Sequence, residues 1–335
     1  MMKLSILDQS PISFNQTAKE ALNDSLKLAK IGEDLGYTRY WVTEHHDLPG
    51  LASSAPEVIL SYIGANTNKI RIGAGAVLLP HYKPFKIAEI YNTLATLFPG
   101  RVDVGMGRAP GGSAEATNAL SDNFLQNVYK MPSLVEELLL FLDDNYPAEN
   151  EYSKISASPI PEIAPEPWLL GTSKKSALLA AENGLAYTFG QFMSEEEGET
   201  IIQEYLDAFT PRKQGQKAKV MITVSVICAE TTEIANEIAL STLKWTIQKS
   251  NGKGRRGVPS IEMAKQYPLN SVEKEIMEKM KRKIIIGNPM EVKQKLIELQ
   301  QNYKADEIML NTITYSAEDR ISSYALIAKE MLLNG

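Results

Sequence analysis

Four short runs in this chain combine side chains able to move protons or hold anions with small residues that would let a ligand reach them. They are Glu44-His45-His46, Gly73-Ala74-Gly75-Ala76, Gly105-Met106-Gly107-Arg108 and Gly171-Thr172-Ser173-Lys174-Lys175-Ser176. A histidine whose ordinary pKa lies near ~6.5 can exchange protons or donate a hydrogen bond at neutral pH. Arginine stays charged, and its planar fork donates two hydrogen bonds to a phosphate. The start of a helix adds free N–H groups and the positive end of a dipole.

Each run follows a strand-like segment: Arg39 to Thr43, Ile70 to Ile72, Arg101 to Val104, and Trp168 to Gly171. Successive strands that all end in polar or glycine residues, with helices between them, predict a parallel β/α barrel with its site at the C-terminal face. Further strands are predicted at the start (Met1 to Asp8), at Ala186 to Phe189, Val220 to Ile227 and Glu307 to Leu310. That makes eight. Thr17-Ala18-Lys19-Glu20 and Ser54-Ala55-Pro56-Glu57 have the capping-box pattern of helix starts, a third helix begins near Pro84, and another runs from about Pro132 to Asp143. The fold class read from this is α/β, a (β/α)8 TIM barrel forming one domain over 1–335. Insertions are expected after strand four, at about 109–130 and 144–166, and between helix seven and strand eight, at about 250–285. The last segment, from Ser250-Asn251-Gly252 through Lys283, reads as a long charged loop, either a lid or disordered.

Composition narrows the function classes. The 335 residues exceed the roughly 250 of a plain barrel. Lys+Arg of 35 against Asp+Glu of 41 gives a net charge of -6, which disfavours a general nucleic-acid surface, so an anionic ligand needs a local basic group. The single cysteine, Cys228, excludes an internal disulfide and a multi-cysteine metal site and suits a reducing cytoplasm. With three histidines and no HExxH, no metal is expected. The apolar start is too short for a signal sequence, and no stretch approaches the ~20 apolar residues of a membrane span.

Every candidate also has a plain structural reading. Neighbouring strand residues point to opposite sides, so one of His45 and His46 should face the barrel mouth while the other packs outward; both could instead be satisfied in a structural network. Gly75 and Ala76 would let a flat ligand approach the backbone, or only relieve barrel packing. Arg108 could hold phosphate or form a surface ion pair. Thr172 or Ser173 could be an ordinary N-cap. As a dinucleotide fingerprint Gly105-Met106-Gly107-Arg108-Ala109-Pro110 fails, because proline stands at the third glycine position.

Over nearly its full length the chain resembles the bacterial luciferase-like flavin monooxygenases. The resemblance is carried by Leu4-Ser5-Ile6-Leu7-Asp8-Gln9-Ser10-Pro11, Tyr40-Trp41-Val42-Thr43-Glu44-His45-His46, Leu51-Ala52-Ser53-Ser54-Ala55-Pro56-Glu57, Pro99 through Pro110, and Ile286-Gly287-Asn288-Pro289, in this order and spacing. It implies a barrel that binds reduced FMN and O2, the flavin being supplied by a separate NAD(P)H flavin reductase. A flavin C4a-hydroperoxide would oxidise a small organic substrate, an aldehyde being one candidate. By position, His45 resembles the catalytic histidine, Arg108 the arginine on the FMN phosphate, and Thr172, Ser173 and Ser176 residues near that phosphate. Gly75-Ala76 falls where the family has a non-proline cis peptide beneath the flavin ring. A homodimer through the early helices is implied as well.

This sequence departs from luciferase in carrying Gly107 in place of a reactive cysteine, which argues against a thiol-dependent step, and Thr172 in place of an acidic residue near the phosphate, which leaves the details of phosphate binding open. Two alternatives stay open: an F420-dependent hydride-transfer oxidoreductase on the same barrel, and a flavin-binding protein without catalysis.

Overall fold

The predicted strands are rich in apolar residues on both faces, as parallel strands covered by helices must be. In the computed structural model, which describes residues 2–196, 198–252 and 254–333, nine strands form. They are β1 (Lys3–Asp8), β2 (Arg39–Val42), β3 (Arg71–Leu78), β4 (Val102–Gly107), β5 (Glu166–Gly171), β6 (Ala186–Phe189), β7 (Val220–Cys228), β8 (Ile284–Gly287) and β9 (Glu307–Asn311). All pair in parallel. β1 to β7 follow one another round the sheet, and the β7–β9 and β9–β1 pairings close it into a (β/α)8 barrel.

The sequence did not foresee β8. Ser225 pairs with Ile284 on one side and Asn311 on the other, while Ile222 pairs with Phe189 and Ile308. β8 therefore continues the edge of β7 that β6 leaves, and extends the barrel rim.

Helices α1 (Ala18–Asp34), α2 (Pro56–Gly64) and α3 (Pro84–Leu97) connect the early strands. The Thr17 capping box forms as expected, with the Thr17 N–H donating to Glu20 and the Glu20 N–H to Thr17. The one expected at Ser54 does not form. The helix starts at Pro56, so the N-cap is Ala55, whose methyl side chain has no acceptor to offer the first-turn N–H groups.

The expected insertion at 109–130 holds two short helices, α4 (Ala114–Leu120) and α5 (Phe124–Tyr129), before α6 (Met131–Leu142). The stretch at 144–166 is largely irregular, with a 3-10 turn at Glu151–Lys154 and a cis Ser158–Pro159 bond. α7 (Lys174–Glu182) and α8 (Gly198–Ala208) follow β5 and β6. The segment expected as a loop at 250–285 is mostly helical. α9 (Thr232–Ser250) leads through a 3-10 turn to α10 (Ile261–Gln266), α11 (Ser271–Lys281) and β8. Its charges mislead because α11 is a surface helix: it exposes Val272 and Ile276 and packs Met277 and Met280 against α9's apolar face. α12 (Pro289–Asn302), capped by Asn288 with Glu291, and α13 (Ala317–Ala328) finish the barrel. No helix among the described residues is long and apolar enough to cross a membrane.

Inside the ring, Leu7, Trp41, Trp168, Ala186, Met221 and Met309 form a dry plug. Beneath it, at the N-terminal strand ends, lies a buried ionic network. Arg39 bonds Asp103 at 2.8 Å and Glu307 at 3.1 Å, Arg71 bonds Asp103 through Nε at 2.9 Å, and Ser5 donates to Glu307. Burial alone would lower the Arg39 pKa, but Asp103, Glu307 and Glu166 together hold it above the usual value. The plug closes this end of the barrel interior, while a cavity opens at the other.

Candidate active site

At the C-terminal strand ends a cavity of about 780 Å³ opens, within the roughly 300–1,000 Å³ of small-molecule and cofactor sites. Residues from all eight barrel strands or the loops directly after them reach it, which is what a parallel barrel dictates for strand-end residues. Of the candidate residues named from the sequence, His45, Gly75, Ala76, Arg108 and Thr172 line it.

The chain turns at the end of β2 so that the two histidines part. His45 faces the cavity, half-buried, its backbone N–H donating to the Ser53 carbonyl at 3.0 Å. His46 turns away to pair with Glu44 Oε1 at 2.9 Å. Glu44 is buried and also accepts from the Leu78 N–H at 2.9 Å and from the Tyr82 hydroxyl, so this carboxylate ties the ends of β2 and β3 together. Burial, and then the nearby charge of Lys249, push the His45 pKa down to about 4. At neutral pH it is an uncharged imidazole, able to donate through one nitrogen and accept through the other.

β3 and β4 meet closely at the mouth. A Cβ on Gly105 would lie 2.3 Å from the Ala74 carbonyl oxygen, and one on Gly107 would lie 2.9 Å from the Ala76 Cβ, so only glycine permits this approach. The ladder shifts register between Gly75 and Val77, leaving Ala76 as the extra residue of a bulge, and the Gly75–Ala76 peptide is cis. The wall here is nearly bare backbone.

Arg108 projects from the end of β4. Its Nη2 donates to Ser173 Oγ at 3.4 Å, and no carboxylate among the described residues lies within salt-bridge distance of it. Ser173 is the N-cap of α7. Ser176 sits behind it, buried: its Oγ donates to the Ser173 carbonyl at 2.6 Å, accepts from the Ser173 N–H at 3.3 Å, and lies 3.0 Å from the Tyr187 hydroxyl. The sequence reading placed Ser176 beside the ligand; the structure places it under the helix start, one layer back. Arg108 and Thr172 thus line the cavity, while Ser173 at the α7 terminus does not line it and reaches it only through its bond from Arg108.

Sequence reasoning missed several polar residues of the wall. Gln9 donates to Asn311 at 3.3 Å, and Asn311 to Ser225 at 3.3 Å, forming a row across the barrel. Asn311 stands at a strand end, the same signal that found His45. Thr188 Oγ1 is buried at the wall with no hydrogen-bond partner among the described residues. Lys249, Thr242 and Thr246 come from α9, and Met280 and Lys283 from the segment after it. No local pattern marked those. Among the described residues no cluster of three or more histidine, cysteine or acidic groups could hold a metal.

A bare backbone wall, an orphaned hydroxyl and an uncommitted guanidinium over a helix start fit a flat, polar-edged ring with an anionic tail. The family model for luciferase-like monooxygenases matches residues 2–304. The chain belongs to that family, and its enzyme class is flavin-dependent monooxygenase.

Among relatives, the YceB protein of Bacillus subtilis (strain 168) is 40% identical, over 99% of this chain and 100% of its own. N-acetyl-S-alkylcysteine monooxygenase of the same organism is 35% identical, over 99% of each chain. The crystal structure of apo-MsnO8 is 31% identical with a TM-score of 0.88, covering 98% of this chain and 97% of that one. The same fold recurs at lower identity. Examples are the oxygenating constituent of 3,6-diketocamphane monooxygenase from Pseudomonas putida in complex with FMN (18%, TM-score 0.69, covering 98% and 97%) and an F420-dependent secondary alcohol dehydrogenase (14%, TM-score 0.68, covering 97% and 98%).

Proposed function

We propose that this enzyme binds reduced FMN and uses O2 to oxidise a small organic molecule. The observation that carries the choice of FMN is Arg108, which has no carboxylate partner among the described residues and lies beside the α7 terminus, a dianion site at the edge of a cavity that His45 also lines. Arg108, Thr172 and Ser173 would hold the phosphate, with Ser176 fixing Ser173 from behind. Gly75, Ala76 and Gly107 leave room for the ring against backbone, and Thr188 offers its free hydroxyl to a polar ring edge. Reduced flavin supplies the electrons with which O2 is activated and one oxygen atom transferred.

The chain's own contribution is positioning and dryness. Neutral His45 donates or accepts a hydrogen bond at the reacting face without bringing a cation there. Met280 in the last turn of α11 and Lys283 just after it line the cavity and would serve as its lid, with Lys283 held by donating to the Ser194 carbonyl at 3.3 Å and to Glu195. An aldehyde remains one candidate substrate, and the name of the 35% identical relative adds an S-alkylated, N-acetylated cysteine.

A separate NAD(P)H flavin reductase as electron source accords with the missing dinucleotide fingerprint. The buried lone Cys228 accords with a cytoplasmic setting. Val58 and Tyr62 on α2 and Leu97 at the end of α3 are exposed apolar residues suited to a homodimer through these helices. Titration of the protein with FMN in both redox states tests the reading: saturable binding is expected, and retention of F420 with no affinity for FMN would replace it by hydride transfer.

A further inference from the structure

α9 forms part of the cavity wall, and among the described residues the cation it places there is Lys249. Thr242, Thr246 and Lys249 recur at spacings of four and three, so they share one face of the helix, and all three line the cavity. The lysine is half-buried, yet no carboxylate among the described residues lies within salt-bridge distance of it. Burial lowers its pKa.

The side chain is also held in place. Its Nζ lies 3.8 Å from the centroid of the Trp245 ring, and the Gly254 backbone packs against its stem. Trp245 is fixed in turn by donating to the Gly254 carbonyl at 3.1 Å and by packing on Gly50, where a Cβ would come within 2.5 Å of the indole. Beside it Thr242 makes no side-chain hydrogen bond among the described residues, whereas Thr246 donates to the Thr242 carbonyl at 2.9 Å. Lys283, the other lysine of the cavity, is already latched to Glu195. Apolar Ile284 and Ile313 complete this side.

We propose that the organic substrate carries a carboxylate, which Lys249 binds by a charge-assisted hydrogen bond with the Thr242 hydroxyl as a second donor, while its apolar arm lies along Ile284 and Ile313. This rests on the FMN reading only in assigning the opposite end of the cavity to the cofactor.

Calorimetric titration with hexanoate and with neutral 1-hexanol, which has the same number of carbons, tests it, on the protein alone and with oxidised FMN present. Hexanoate is expected to bind at least about tenfold more tightly than hexanol, and Lys249→Met to remove that preference, a loss of roughly tenfold to a hundredfold for one charge-assisted bond. Lys249→Arg should retain at least part of the preference, which separates lost charge from a disturbed fold. Equal binding of acid and alcohol, no binding of hexanoate, or an unchanged preference in Lys249→Met would each overturn the assignment. Because the arm without FMN needs no flavin, absence of FMN affinity with a Lys249-dependent hexanoate preference would refute the cofactor and keep the carboxylate site.

Discussion

The two ends of the barrel hold the same kinds of charge in opposite circumstances. At the N-terminal end Arg39 and Arg71 are each met by carboxylates, Asp103 and Glu307 are buried with them, and the whole set is sealed by the Trp41–Trp168 plug. At the C-terminal end Arg108 and Lys249 face a cavity with no carboxylate partner among the described residues. Charges neutralised within the chain serve folding. Charges left without an internal counter-ion weaken the empty protein slightly and wait for an anion from outside.

The contrast breaks first at the closed end. Arg39→Ala should strand Asp103 and Glu307 in the barrel floor and destabilise the protein by about 3–5 kcal/mol in chemical denaturation. A loss below about 1 kcal/mol would mean that water reaches this network. At the open end Arg108→Ala should do the reverse, raising the FMN dissociation constant roughly tenfold to a hundredfold while shifting stability by no more than about 0.5 kcal/mol. If folding suffers and flavin affinity does not, Arg108 is a structural residue.

Protonation sharpens the comparison further. Burial would raise the Glu166 pKa, but Arg39, Lys219 and Arg71 hold it below the ordinary 4.5. A carboxylate depressed by folding contributes stability that is complete above pH 4.5 and is lost as pH falls through the folded value. Glu166→Gln should therefore lower stability at pH 7 and flatten its decline below pH 4.5, measured by urea unfolding across that range. The smallest effect concerns His45, held near pKa 4 by burial first and Lys249 second. Lys249→Gln should raise that value part of the way toward 6.5, followed by NMR titration of the ring protons, since removing the cation favours the imidazolium. No change would place Lys249 too far from His45 for the two to share a ligand.

Much of the site could be read before any coordinates, and the parts that could not share one cause. His45, Gly75, Ala76, Arg108 and Thr172 were legible as residues lining the candidate cavity because in a parallel barrel that cavity opens at the strand ends, so a local rule about where strands stop finds them. Ser176 was placed one layer too far forward: sequence spacing puts it at a helix start but does not say which way its hydroxyl turns. Asn311 obeys the strand-end rule and escaped only because its strand was read one residue short.

Lys249 and its threonines belong to a helix between barrel strands, where nothing local distinguishes a face that meets a cavity from one that meets solvent. The 250–285 segment misled for a related reason. α11 is charged because most of it is wet, and its two inward methionines carry too weak a pattern to announce a helix.

The sequence by itself determined the strand and helix order, and with it the barrel, because alternation of short apolar runs with capped helices admits few other closed arrangements. It also determined which end of the barrel gathers the polar and glycine residues that line the cavity. Tertiary structure alone decided which charges are neutralised. Arg39 and Glu307 stand 268 positions apart and meet only when β9 closes the ring, and Lys249 reaches the cavity only because α9 packs across the rim. Pairing of charges depends on distances through space that closure of the barrel sets, and no spacing along the chain encodes them.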